Sequence, residues 1–157
     1  MTQLVEGSGA GIQNEDTLKD KYLTFSLAEE NYGIEIRYVI EIIGIQKITK
    51  VPNLPIFIKG VINLRGKVIP VMDVRARFGL PARAYDERTC IVVVNVDEKA
   101  MGLVVDHVNE VAGIPEAQVE PPPASNHSQA GHYISGIGKM DDEVKILLDV
   151  ERLIIRN

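Results

Sequence analysis

The sequence predicts an all-β protein: two small five-stranded barrels that arose by internal duplication, share an apolar seam and carry only short helical turns. Three observations predict it. Apolar and polar residues alternate in short runs closed by turn residues, the pattern of half-buried strands. The chain also repeats itself in order. Finally, stretches of helical character are too few to cover an open sheet, so closure is the economical way to remove exposed edges.

The repeat is the strongest of the three. At a constant offset of 69, residues 22–45 align with 91–114 without a gap, pairing Glu29 with Glu98, Gly33 with Gly102, Val39 with Val108, Glu41 with Glu110, Gly44 with Gly113 and Ile45 with Ile114. These are six identities in 24 positions, where average composition gives roughly one or two. At an offset of 76, residues 57–78 align with 133–154, matching Ile58 to Ile134, Gly60 to Gly136, Val68 to Val144, Asp73 to Asp149 and Val74 to Val150. The change of offset falls in the intervening connection, where insertions cost little. The preserved order indicates a tandem duplication, with a first copy over about 21–80 and a second over about 89–154. Each copy, at about 65 residues, buries too little apolar surface to stand alone, so the two must share a seam, and exchange of strands between them stays open.

Element by element, residues 1–19 carry Gly, Ser, Asn, Gln and acidic side chains without a period and read as a mobile tail. Tyr22–Leu27 and Tyr32–Ile36 form a hairpin turning over Glu29–Asn31. Arg37–Ile43 holds Val39, Ile42 and Ile43 at helical spacing, yet its β-branched residues and the stop at Gly44 favour a brief helical turn feeding a strand. Pro52 and Pro55 mark an irregular connection. Phe57–Phe78 follows, with extended pieces at Val61–Ile62 and Lys67–Met72 around a bend at Arg65–Gly66, and then a helical turn over Val74–Leu80 ended by Gly79 and Pro81. The second copy restarts with Cys90–Val96, a turn at Asp97–Lys99 and a strand over Ala100–Val105. Gln118–His132 holds three consecutive prolines and reads as an exposed loop with a stiff start.

The totals exclude several function classes. The chain of 157 residues has a net charge of −5 and no Trp, with neither a basic run nor an aromatic ladder, which argues against nucleic acid. No apolar run approaches the roughly 18 residues that span a bilayer, and no signal peptide is evident, so the expected setting is the cytoplasm, without direct membrane insertion. The single Cys90 excludes an internal disulfide and sits in a strand pattern as a small hydrophobe.

No nucleophile elbow, phosphate loop or paired-histidine motif occurs. His127 and His132 could bind a metal in principle, but neither Cys nor an ordered carboxylate completes a set, and no cofactor or metal is expected. Asp73 and Asp149, at equivalent repeat positions, read as helix caps and not as a carboxylate pair. Gly33, Gly60, Gly102 and Gly136 read as bends or close strand approaches. Arg65 differs, because its repeat partner is Asp141. With a basic tip in one copy and an acidic tip in the other, Arg65 reads either as a solvated turn residue or as a recognition arginine, with Glu41 or a partner carboxylate as its counterpart.

The segments YGIEIRYVIEIIG, PNLPIFIKGVINLRGKVIPVMDVRARFG, MGLVVDHVNEVAGI and YISGIGKMDDEVKILLDVERL resemble the bacterial chemotaxis coupling protein family, CheW. The resemblance runs from Lys21 to Leu153, and GVINLRGKVIPVMDVR carries most of its specificity. It implies two SH3-like barrels and a non-catalytic adaptor, recruited to membrane-associated receptor arrays. The implied partners are the cytoplasmic tip of chemoreceptors and the regulatory domain of the kinase CheA. By motif, the receptor groove would use the seam between the barrels, with Leu23, Ile36, Val39 and Ile42 from the first copy, Val108 and Val111 from the second, and Glu41 and Arg65 beside them; for each of the valines and isoleucines a plain core role stays open. The kinase edge would use Ile48, Thr49 and Val51. The 119–132 loop would lie at a further ring contact, although Ala124, Ser125 and Asn126 stand where some relatives carry an aromatic. Two other readings stay open: a regulatory module of a CheA-type kinase or receiver-fused coupling protein, and a small enzyme with an inter-barrel site.

Overall fold

The computed structural model describes residues 18–122 and 130–155. Among the described residues, eleven strands make two sheets. β1 (Lys21–Leu27), β2 (Glu30–Glu35), β3 (Val39–Gly44), β4 (Ile58–Leu64) and β5 (Lys67–Asp73) belong to the first copy, which ends in α1 (Val74–Arg77). β6 (Cys90–Val96), β7 (Lys99–Val105), β8 (His107–Gly113), β9 (Val119–Glu120), β10 (Ile134–Met140) and β11 (Glu143–Leu148) belong to the second, which ends in α2 (Val150–Ile155). The helical turn expected before β3 is a single 3-10 turn, Ile36–Tyr38.

The copies are not side by side. The six-stranded sheet runs β8-β1-β2-β11-β10-β9 and the five-stranded sheet β3-β6-β7-β5-β4. Each copy therefore lends its first hairpin to the sheet completed by the other. The joins are the two parallel pairings, β2 with β11 and β5 with β7, and a repeat glycine sits at each. A Cβ on Gly33 would come within 3.1 Å of Leu147, and one on Gly102 within 2.7 Å of Ile91. Both glycines thus leave room for a neighbouring side chain, Leu147 across the β2–β11 join and Ile91 of the adjoining β6.

The hydrogen-bonded ladders describe two sheets, and no ladder joins β3 to β4 or β8 to β9. Each sheet nevertheless curls, because the chain leaving one edge reaches the other. Beyond β3, Thr49 exchanges backbone hydrogen bonds with Val61 of β4, at 2.8 and 2.9 Å. Beyond β8, β9 pairs with β10.

The duplication extends to irregularities. β3 and β8 each carry a bulge at the equivalent residues Ile40 and Asn109, and the β4–β5 and β10–β11 ladders slip at Lys59 and Ser135. Asp73 Oδ1 accepts from the Ala76 N–H at 3.2 Å and Asp149 Oδ1 from the Arg152 N–H at 3.1 Å, so both are helix caps.

Most of the core lies between the sheets. Leu23, Phe25, Leu27 and Ile34 of one meet Met72, Val92, Val94 and Leu103 of the other, with Val74 of α1 and Leu153 of α2. That cluster is the shared seam. A second cluster, Ile62, Ile69, Val71, Ile91, Val93 and Val104, belongs to the five-stranded sheet alone, and the six-stranded sheet keeps only Ala112, Ile114 and Leu147.

Two boundaries differ from expectation. The hairpin turns are Ala28–Glu29 and Asp97–Glu98, so Asn31 and Lys99 belong to strands. All four turn residues have positive φ, between 49° and 74°. Their side chains are not those that usually announce this conformation. Order also begins before Lys21, since Leu18 packs against the central cluster, whereas residues 1–17 of the expected tail lie outside the described residues.

Candidate functional site

Arg65 stands first in a two-residue turn with φ 53°, followed by Gly66 at φ 85°. Positive φ at both positions is the geometry that fits the twist of a tight hairpin. Asn63 Oδ1 accepts the Gly66 N–H at 2.9 Å and holds the turn. The guanidinium projects across to Glu41 of β3, with Nη1 donating to Oε1 and Nη2 to Oε2 at 3.0 Å. These hydrogen bonds, and then the carboxylate charge, raise the Arg65 pKa. β3 and β4 are opposite edges of the five-stranded sheet, so this bidentate pair staples the two edges. The arginine remains 72% exposed, open to exchange one carboxylate for another.

The other receptor candidates divide. Leu23 and Ile36 are 0% and 5% exposed. They belong to the central core cluster between the two sheets, the core reading the sequence also left open. The reason is that the six-stranded sheet is covered by its partner sheet on the face these residues point to, a burial the alternation in Tyr22–Leu27 does not specify. Val39, Ile42, Val108 and Val111 are half-buried and pack against that same core from β3 and β8. Among the described residues each of these strands pairs on one side only. Each edge thus carries a pair of partly buried apolar residues packed on the shared core.

Of the residues expected at a kinase edge, Ile48 packs half-buried on the five-stranded sheet's own cluster, Thr49 is tied to Val61, and Val51 is exposed. The sequence reading missed three neighbours. Leu54 and Ile56 are exposed apolar side chains on the same connection, Ile56 at 82%, and Ile40 protrudes at the β3 bulge. Pro52 and Pro55 were the available signal, since a proline-punctuated connection outside the ladder has no sheet face to hide such residues.

Outside these surfaces, Asp106 forms a half-buried node. Arg75 donates Nε and Nη2 to its two oxygens at 2.8 and 3.0 Å, the Ala28 N–H adds a bond at 2.9 Å, and Arg83 Nη1 lies at 3.2 Å. Burial alone would push the carboxyl up, but the Arg75 and Ala28 hydrogen bonds and the two guanidinium charges hold it below the usual carboxylate range. Tyr38 Oη donates to Glu151 Oε2 at 3.0 Å, and burial plus that bond push the phenol up to about 12.

A Ser–His contact exists but is not wired for catalysis. Ser26 Oγ is 3.4 Å from His107 Nε2, longer than a working hydrogen bond, and is shared with Asn31 and Asn109. Asp106, next to that histidine, is committed to its arginines. His132 is exposed, His127 lies outside the described residues, and among the described residues no three His, Cys, Asp or Glu side chains are grouped to hold a metal. Ala124, Ser125 and Asn126 are outside them too. Among the described residues no helix is long and apolar enough to cross a membrane.

Comparison with known proteins follows the same lines. A family model described as a CheW-like domain matches residues 21–156. The chain is 38% identical over 139 residues to the chemotaxis protein CheW of Klebsiella aerogenes, covering 88% of this chain and 84% of that one. With CheW of Helicobacter pylori it shares 32% identity over 148 residues, 94% of this chain and 89% of that one. The crystal structure of the scaffolding protein TtCheW from Thermoanaerobacter tengcongensis superposes with a TM-score of 0.80 at 42% identity, covering 88% of this chain and 94% of that chain.

Proposed function

The chain belongs to the CheW family of chemotaxis coupling adaptors, and on that premise we propose that it links the cytoplasmic tip of chemoreceptors to the regulatory domain of the kinase CheA, without catalysing a reaction. It is recruited from the cytoplasm to membrane-associated receptor arrays. The observation that carries this reading is that Val39 and Ile42 of one unpaired sheet edge and Val108 and Val111 of the other are partly buried apolar residues packed on the shared core, with the Arg65–Glu41 pair on the first of these edges. Such edges suit the apolar face of an amphipathic receptor helix hairpin, and an exposed arginine fork sets its register.

The kinase meets a separate surface in this reading: Ile48, Thr49 and Val51, widened by Leu54 and Ile56. Exposed apolar side chains on an irregular connection favour docking against another protein. Because the adaptor breaks no bonds, it acts only through different affinities for kinase-on and kinase-off assemblies. The test is reconstitution of receptor, kinase and this chain, with kinase activity measured as the adaptor is omitted or added. Stimulation that does not depend on the adaptor rejects the reading, and binding of either partner alone, in separate pull-downs, assigns the two surfaces.

A further inference from the structure

An aromatic residue stands immediately ahead of β4 and of β10: Phe57 in the first copy and Tyr133 in the second, equivalent at the offset of 76. Their backbones are held alike. The Phe57 carbonyl accepts the Asp73 N–H at 2.8 Å and the Tyr133 carbonyl the Asp149 N–H at 2.7 Å, so each residue is fixed to its own copy's helix cap. Their rings share one partner. Arg77 of α1, shortly ahead of the connector of residues 81–89, is a buried arginine whose guanidinium carbon lies 4.0 Å from the centre of the Phe57 ring and 4.9 Å from that of Tyr133. The equivalent residue of α2 is the buried Leu153. One cation therefore faces both rings, where an exact duplication would supply two. Phe78, next in the chain, stacks on Tyr133 at 6.0 Å, so the turn Ala130–Tyr133 of the second copy is gripped from the helix of the first.

We propose that Arg77 is a conformational link between the copies, coupling the turn over residues 55–58 to the turn Ala130–Tyr133. A guanidinium is held more strongly by ring faces when it is out of water. Withdrawing one ring frees the cation to move, and the other ring loses its place with it. The link reaches the surface by chain continuity. Ile56, 82% exposed, adjoins Phe57 in a turn closed by the Ile58 N–H on the Pro55 carbonyl at 2.9 Å. A protein seated on Ile56 therefore also acts on the turn ahead of β10. The link belongs to the chain alone and does not depend on the coupling role.

Native-state hydrogen exchange followed by NMR on the full-length chain tests it, with the Asp73 and Asp149 amides as reporters of the two turns and the amides of β6 as the reference for global stability. Phe57→Leu speeds exchange at Asp73 locally and, across the seam, at Asp149 by about fivefold or more relative to β6. Tyr133→Leu speeds exchange at Asp73 in return, because coupling is reciprocal. In an Arg77→Leu background, which copies Leu153, both cross-seam effects vanish while the local ones stay. Arg77→Lys, which keeps the charge without the planar guanidinium, reduces both and serves as the background if Arg77→Leu does not fold. Cross-seam effects absent from the native chain overturn the proposal, and so do effects that are equally large without the guanidinium.

Discussion

Arg65 and Asp141 hold the same left-handed backbone position, with φ 53° and 54°, at the tips of equivalent hairpins. Both conformations are paid for by the hairpin, so backbone geometry does not explain the change of charge. The first copy pairs its tip with Glu41, whereas the second carries Asp141 at the equivalent tip and keeps Glu110 at the position of Glu41. Arg65→Ala accordingly leaves the melting temperature nearly unchanged, since an exposed ion pair adds little stability, but weakens capture of receptor tip or kinase in a pull-down. Gly60 gives the opposite outcome. A Cβ there would stand 2.1 Å from the Thr49 carbonyl oxygen, at φ 146°. Gly60→Asp costs on the order of 3 kcal/mol or more and is read as loss of soluble, cooperatively melting protein.

At the scale of elements, the first hairpin of each copy turns through two residues of positive φ without glycine: Ala28–Glu29 and Asp97–Glu98. Left-handed backbone costs an ordinary residue roughly 1–2 kcal/mol, so Ala28→Asn with Glu29→Gly raises stability by about 1 kcal/mol, measured by urea denaturation. The connector and α1 are tied to the Asp106 node. Because that carboxyl titrates lower in the folded chain than its ordinary value of about 3.9, its stabilisation is complete above about pH 4. It is lost as pH falls through the depressed value. Asp106→Asn therefore destabilises at pH 7, by about 2 kcal/mol for a guanidinium left without its carboxylate, yet flattens the decline between pH 4 and pH 2 in denaturation curves.

The whole molecule is a single cooperative unit because each sheet takes a hairpin from the other copy. Separate fragments 1–80 and 89–157 are each unfolded by circular dichroism, and an equimolar mixture recovers strand signal. Much of this was legible in the sequence. Identities at two offsets revealed the duplication, Asp73 and Asp149 could be read as caps, and Arg65 stood out by failing to recur. Other features were not. Alternation tells which side chains share a face but not which strand lies alongside, so it specifies neither the exchange of hairpins nor that a second sheet covers Leu23 and Ile36 completely. The exchange also bears on descent and on recognition. A lone copy with this pattern completes its sheet only by trading hairpins with a twin, which is a twofold dimer. Fusion through residues 81–89 makes that encounter independent of concentration. It also frees the molecule from symmetry: a dimer of identical chains must present the same face twice, whereas this chain, with Arg65 on one tip and Asp141 on the other, presents two different ones.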